Sequence, residues 1–188
     1  MESDVLSKIT TLEKPAKIKL GIFTIGNGYS EISDFLVAAN SALKLSNGTK
    51  AYRSMNLGLG GGTSTEVIFP LGTNRVLNVI HVYSNTALNG IEFVFDDSST
   101  LTFGCKTGSC SEFHLDTRRG ESLLGFSVRS GFWIDGCSIL TTLGRRSPFF
   151  GNINGGSHHA MIPPRRYRLV GISGTIGQWV DSFNILYQ

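Results

Sequence analysis

The sequence predicts an all-β fold of three similar antiparallel sheets, and three observations point there. Glycine occurs 23 times in 188 residues without a collagen-like period, which reads as turns between many short strands. Side chains alternate in character with period two, as in Leu77-x-Val79-x-His81-x-Tyr83, Ile91-x-Phe93-x-Phe95, Leu124-x-Phe126-x-Val128 and Leu169-x-Gly171-x-Ser173. The third observation is an internal repeat.

Residues 1–50 stand outside that repeat. Lys17–Phe23 reads as one strand, and Phe35–Leu43 as a short amphipathic helix with Ser33 as its cap. A segment of about 50 residues buries too little surface to fold alone. It is therefore expected to be an extension packed on a domain spanning 51–188.

Within 51–188 two motifs share one period. Gly131-Phe132-Trp133-Ile134-Asp135 and Gly177-Gln178-Trp179-Val180-Asp181 both read Gly-x-Trp-(Ile/Val)-Asp, and 177 − 131 = 46. One step further back lies Asn85-Thr86-Ala87-Leu88-Asn89, where Asn replaces Gly and Asp, and Ala replaces Trp. Glycine-rich runs follow the same spacing at Gly58–Gly62, Gly104–Gly108 and Gly151–Gly156. Two independent motifs on one period predict three related strand-and-turn units.

Composition excludes several function classes. Hydrophobic residues make up 40% and charged residues 16%, enough for a core, while a net charge of +3 is too small to argue for nucleic acid. Arg145-Arg146 and Pro163–Arg168 read as solvated loop and strand-end residues. No apolar run approaches the ~18 residues of a membrane span, so no membrane insertion is expected. The first residues lack a secretory signal pattern, giving an expected location that is cytoplasmic or non-classically released. Three cysteines, Cys105, Cys110 and Cys137, are expected as free thiols. Cys105-x4-Cys110 is at most half a zinc site, so neither metal nor cofactor is expected.

An enzyme is not expected either. A glycosidase needs two facing carboxylates, and Asp135 and Asp181 fall in repeat-related loops expected to lie far apart. Asp96-Asp97 reads as a hairpin turn, His81 and His114 as strand residues, and His158-His159 as an exposed loop pair. Trp133 and Trp179 suit either core packing or the wall of a binding site.

The Gly-x-Trp-x-Asp loops, with Leu77–Tyr83 running through to Phe93–Asp97, resemble the jacalin-related lectins over about 130 residues. The resemblance implies a β-prism I of three four-stranded Greek-key sheets with pseudo-threefold symmetry. It also implies a carbohydrate-binding lectin, metal-independent, whose main site pairs Gly177, Gln178, Trp179 and Asp181 with Gly60, Gly61 and Gly62. Gly26-Asn27-Gly28 is the alternative glycine loop. By prism symmetry a second site would join Gly131, Phe132, Trp133 and Asp135 to Asn154, Gly155 and Gly156. A third, from Asn85–Asn89 and Gly104–Gly108, lacks the carboxylate. Galactose-preferring members of that family commonly gain a contact from an amino terminus freed at the glycine loop; here the loop lies mid-chain, so the resemblance implies mannose- or glucose-type glycans or glycoproteins as partners. A homo-oligomer stays open, and the rival function is a non-catalytic protein-docking or oligomerisation module.

Overall fold

In a computed structural model, the structure describes residues 42–44 and 50–188. These residues form β1 (Ala42–Lys44), β2 (Lys50–Arg53), β3 (Thr63–Ile68), β4 (Leu77–Ser84), β5 (Leu88–Phe95), β6 (Thr100–Gly104) and β7 (Ser109–His114). A 3-10 turn, Thr117–Arg119, precedes β8 (Leu123–Ser130), β9 (Ile134–Thr141), β10 (Phe150–Gly151), β11 (Ser157–Met161), β12 (Leu169–Ile176) and β13 (Val180–Tyr187).

The strands build three walls. The first has the order β6-β5-β4-β7 and the second β10-β9-β8-β11. In each, a three-strand meander is closed by a fourth strand returning beside the first, which is a Greek key. The third wall, β1-β2-β13-β12-β3, repeats that order with strands from both ends of the described chain. The four-stranded plan therefore holds, and β1 adds a fifth strand at the edge of β2 (Ala42↔Tyr52, Leu43↔Ala51, Lys44↔Lys50).

Ala42 and Leu43 were expected at the end of a helix and are instead extended in β1. The edge of β2 offers backbone N–H and C=O groups that need partners, and a strand satisfies them where a helix does not. The rest of that expected helix, the Lys17–Phe23 strand and Gly26–Gly28 lie outside the described residues.

The 46-residue period is kept closely by the central hairpins. β4, β8 and β12 begin at Leu77, Leu123 and Leu169, and β5, β9 and β13 at Leu88, Ile134 and Val180. Even the register shifts recur, at Tyr83/Ser84, Arg129/Ser130 and Thr175/Ile176. Inward-facing side chains of all three walls meet at one core. Phe183 of the third wall packs edge-to-face on Phe103 of the first (5.9 Å) and Phe126 of the second (5.3 Å).

Arg145 is an exposed loop residue, and it also has partners. Its Nε and Nη2 donate to the buried Glu121 carboxylate, each at 2.8 Å, and its guanidinium lies 4.8 Å over the Phe113 ring. Thr141 Oγ1 donates to the same carboxylate at 2.6 Å. The hydrogen bonds from Arg145 outweigh desolvation and, with those from Thr141 and the Asp116 N–H, hold the Glu121 pKa down at about 2. Arg146 also has a partner, donating to Ser127 Oγ at 3.0 Å.

Candidate functional site

Three turns of the same build close the central hairpins. In β12–β13 the Gly177 N–H donates to the Trp179 carbonyl at 2.9 Å, and in β8–β9 Gly131 does so to Trp133 at 3.0 Å. In β4–β5 Asn85 donates to Ala87 at 3.1 Å. The decayed sequence of the first repeat thus keeps the backbone turn and loses its side chains.

Each turn lies against a glycine-rich loop of its own wall. Between β2 and β3, a Cβ on Gly62 would fall 2.2 Å from the Ile176 carbonyl carbon, and one on Gly58 only 2.1 Å from the Asp181 carbonyl oxygen. Gly58 also holds a left-handed φ of 75°. Backbone thus touches backbone here, and any side chain would force the loops apart. Reciprocal N–H to C=O bonds between Leu57 and Phe183, both 2.9 Å, fix the approach. Gly60 and Gly61 continue the loop, and Gly60 faces Thr175 and Ser182.

In the second wall Gly155 packs on the Asp135 carboxylate and Gly156 on the Ser130 carbonyl. Asn154 is exposed, and its N–H is held by Asn152 Oδ1 at 3.0 Å. In the first wall Gly104 meets the Asn89 carbonyl, Gly108 meets the Asn85 side chain, and Asn89 Nδ2 donates to Thr107 Oγ1 at 3.1 Å.

The two aspartates differ sharply in setting. Asp181 is half-buried, and no hydrogen bond or ion pair engages its carboxylate among the described residues. Gly177 and Gln178 beside it are exposed, and Trp179 is half-buried. Asp135 is buried, and its Oδ2 has no hydrogen-bond partner. Burial raises the Asp135 pKa. The Gly131 N–H, the Trp133 side chain and Arg129 pull it back only in part, and none gives Oδ2 a well-formed hydrogen bond.

Arg129 accounts for the closure. Its Nη1 donates to the Gly155 and Gly156 carbonyls, both at 2.9 Å, tethering that loop over Asp135. The repeat-equivalent residue beside the Asp181 turn is Thr175, which is too short to span such a gap. Instead its Oγ1 lies 2.9 Å from Ser182 Oγ.

The turns do not stand apart from one another. Trp133 and Trp179 are in contact, with ring centroids 5.0 Å apart and planes at 43°. The Leu59 N–H donates to the Phe132 carbonyl at 2.9 Å. The Asp135 and Asp181 turns, expected far apart, thus meet through their tryptophans. Neither tryptophan is core. Trp133 is 39% exposed, and Phe132 and Leu59 stand out at 72% and 73%.

His158 and His159 also differ from expectation, since both lie in β11 rather than in a loop. His158 Nε2 is 2.6 Å from Ser127 Oγ, and burial lowers the His159 pKa. Cys105, Cys110 and Cys137 are free. Sequence reasoning missed Arg129, because nothing in its local pattern reveals which loop a strand-end arginine will grip.

Three walls of Greek keys, with a glycine loop set against a Gly-x-x-x-Asp turn, define a β-prism of the jacalin-related lectin class. The chain belongs to the Jacalin-like lectin domain family, whose pattern matches residues 47–186. Banana lectin superposes with a TM-score of 0.57 at 18% identity, covering 73% of this chain and 98% of its own. Single-chain recombinant jacalin gives 0.60 at 18%, covering 78% and 99%. A mannose-binding jacalin-related lectin from Ananas comosus gives 0.55 at 19%, covering 73% and 97%.

Among curated proteins, the chain is 37% identical over 148 residues to a Schizosaccharomyces pombe protein named "Putative zinc metalloproteinase C607.06c". A Saccharomyces cerevisiae protein with the same descriptive name is 36% identical over 69 residues. The matches cover 78% and 37% of this chain but only 23% and 10% of those proteins, so the chain spans less than a quarter of either relative. The sequence holds no His-Glu-x-x-His, and the described residues include no group of three His, Cys, Asp or Glu placed to hold a metal ion. The residues present do not fit a zinc centre.

Proposed function

We propose that this protein is a carbohydrate-binding module that takes mannose- or glucose-type glycans, without metal, at the Asp181 turn. The observation that carries this reading is a half-buried Asp181 carboxylate, unengaged among the described residues, beside a loop whose Gly60–Gly62 stretch presents only backbone. A carboxylate accepts two charge-assisted hydrogen bonds from neighbouring sugar hydroxyls. Backbone N–H groups of the Gly177–Asp181 turn supply donors, and Trp179 supplies a flat apolar wall. Gly60, Gly61 and Gly62 let a sugar approach the main chain closely.

The Asp135 turn, with Gly131, Phe132, Trp133 and Asn154–Gly156, is the secondary site of this reading. It works only when the Arg129 tether yields. In longer proteins such as the yeast relatives, the module would serve recognition, leaving any hydrolysis to residues elsewhere.

A docking role is the second reading, favoured by Leu59 and Phe132 standing exposed side by side. A glycan array followed by titration calorimetry with methyl α-mannoside, with and without chelator, separates the two. Saccharide binding that survives chelator supports the lectin reading. A folded protein that binds no glycan overturns it.

A further inference from the structure

The outer faces of the three walls carry polar side chains at repeat-equivalent positions. His81, Ser127 and Ser173 form one such set, and Glu92, Ser138 and Asn184 another. In the first wall the protein completes the network itself. Glu92 accepts from Tyr83 Oη at 3.0 Å and from Lys106 Nζ, and lies 3.0 Å from His81 Nδ1. In the second wall Ser127 Oγ is bonded by His158 and Arg146, while Ser138 Oγ stays unpartnered.

In the third wall Asn184 Nδ2 donates to the Ser54 carbonyl at 3.2 Å, and the set is left open at Ser173. β6 pairs with β5 over five positions, but β2 pairs with β13 over only two, and beyond Arg53 the backbone meets β13 again only at Ser54 and Leu57. A groove of about 380 Å³ opens there, bounded by Arg53, Ser64, Glu66, Ser173, Ser182 and Asn184, and roofed at one end by Gly60 and Gly61. Ser173 is only 4% exposed, lines this groove, and its Oγ has no partner. Arg53 Nε is likewise out of solvent and unpartnered, while its Nη2 reaches Glu66 at 3.2 Å. Buried polar groups in proteins are nearly always paired, so open valences on a groove floor mark the place of a ligand.

We propose that this groove, on the outer face of the third wall beneath the glycine loop, is a second saccharide site, distinct from the Asp181 turn. Its volume is at the small end of the ~300–1,000 Å³ of ligand pockets. The lining alternates hydroxyl, amide and carboxylate groups, which suits a ligand bearing adjacent hydroxyls that both donate and accept. Glu66 neutralises Arg53, which disfavours a free anion. The choice of ligand rests on the lectin reading, whereas the groove itself does not.

The test is backbone-amide NMR of the full chain titrated with methyl α-mannoside, on wild type and two variants. Two groups of amides should shift: Gly177–Asp181 at the turn, and Ser64–Glu66 with Ser173–Thr175 in the groove. Ser64→Trp, at an exposed position on the groove rim, should weaken the groove response at least tenfold and spare the turn. Asp181→Ala should do the reverse. Turn shifts without groove shifts at saturating sugar overturn the groove and leave the lectin reading standing. Groove shifts without turn shifts overturn the turn assignment and keep the groove. Equal groove shifts in wild type and Ser64→Trp also overturn the groove. If neither region shifts, both proposals fall.

Discussion

The Asp181 and Asp135 turns share a motif, a backbone geometry and a repeat position, yet they present their carboxylates differently. At Asp181 the carboxylate is half in solvent and unengaged. At Asp135 it is buried under Gly155, with one oxygen lacking a partner. The difference traces to one position, where Arg129 grips the Gly155–Gly156 carbonyls and Thr175 has no equivalent reach. Two copies of a motif can therefore share a pattern and differ in how far the carboxylate is exposed. A neighbouring strand end decides which.

The largest effect expected is on binding. Asp181→Ala should remove roughly 1.5–3 kcal/mol of charged hydrogen bonding, about ten- to a hundredfold in glycan affinity by calorimetry. Asp135→Ala should change affinity far less. An equal loss from Asp135→Ala would show that the tethered loop opens freely, and the contrast between the turns would collapse. Arg129→Ala sharpens it from the other side: releasing the tether should raise calorimetric stoichiometry toward two loop sites without weakening the Asp181 turn.

Acid should reveal the next effect. The Glu121 pKa is depressed from 4.5 to about 2, so its stabilisation is fully present above about pH 4.5 and is lost as pH falls toward 2. At most about 2–3 kcal/mol is involved, less whatever solvent screens at the half-exposed Arg145. Glu92 adds to the same window. Burial pushes its pKa up, but hydrogen bonds from Lys106, His81 and Tyr83 win and set it near 2. Urea midpoints measured from pH 7 to pH 2.5 should fall steeply in wild type and less in Glu121→Gln. Parallel curves would assign the acid loss to other groups.

A smaller effect with the opposite sign is expected at Asp135. Its folded pKa is raised, so the charged form is strained by burial, and the stability it contributes at low pH is lost as pH rises through that value. Asp135→Asn should therefore raise the urea midpoint slightly at pH 7 and not at low pH. A midpoint that drops at pH 7 would mean the carboxylate is better paired in solution than its buried setting implies.

Much of the fold was legible because the information is local and repeated. Alternation predicts strands, glycine clusters predict turns, and the 46-residue spacing places Leu77, Leu123 and Leu169 at equivalent strand starts. The pairing of Gly58–Gly62 with the Asp181 turn was legible as well. The resemblance to the jacalin-related lectins implies it, and glycines permit a close backbone approach. Three features were not legible. Ala42 and Leu43 read as helix by local pattern, and an open strand edge drew them into β1. The contact of Trp133 with Trp179 depends on how three walls converge, which no single unit encodes. Arg145 is solvated as its loop position suggests, but its pairing with Glu121, 24 residues away, is set by the fold.

The sequence by itself determined three strand-rich units, the turns and glycine loops that recur in them, and the residue types of those loops. Periodicity and turn chemistry act over a few residues, so they survive as pattern. The tertiary structure decided which carboxylate is open, which wall keeps an unfilled polar groove, and which exposed apolar side chains gather at one end. These depend on burial and on partners from distant strands. Desolvation and hydrogen bonding are set by whatever the fold brings within a few ångströms, and the linear order of residues does not state that distance.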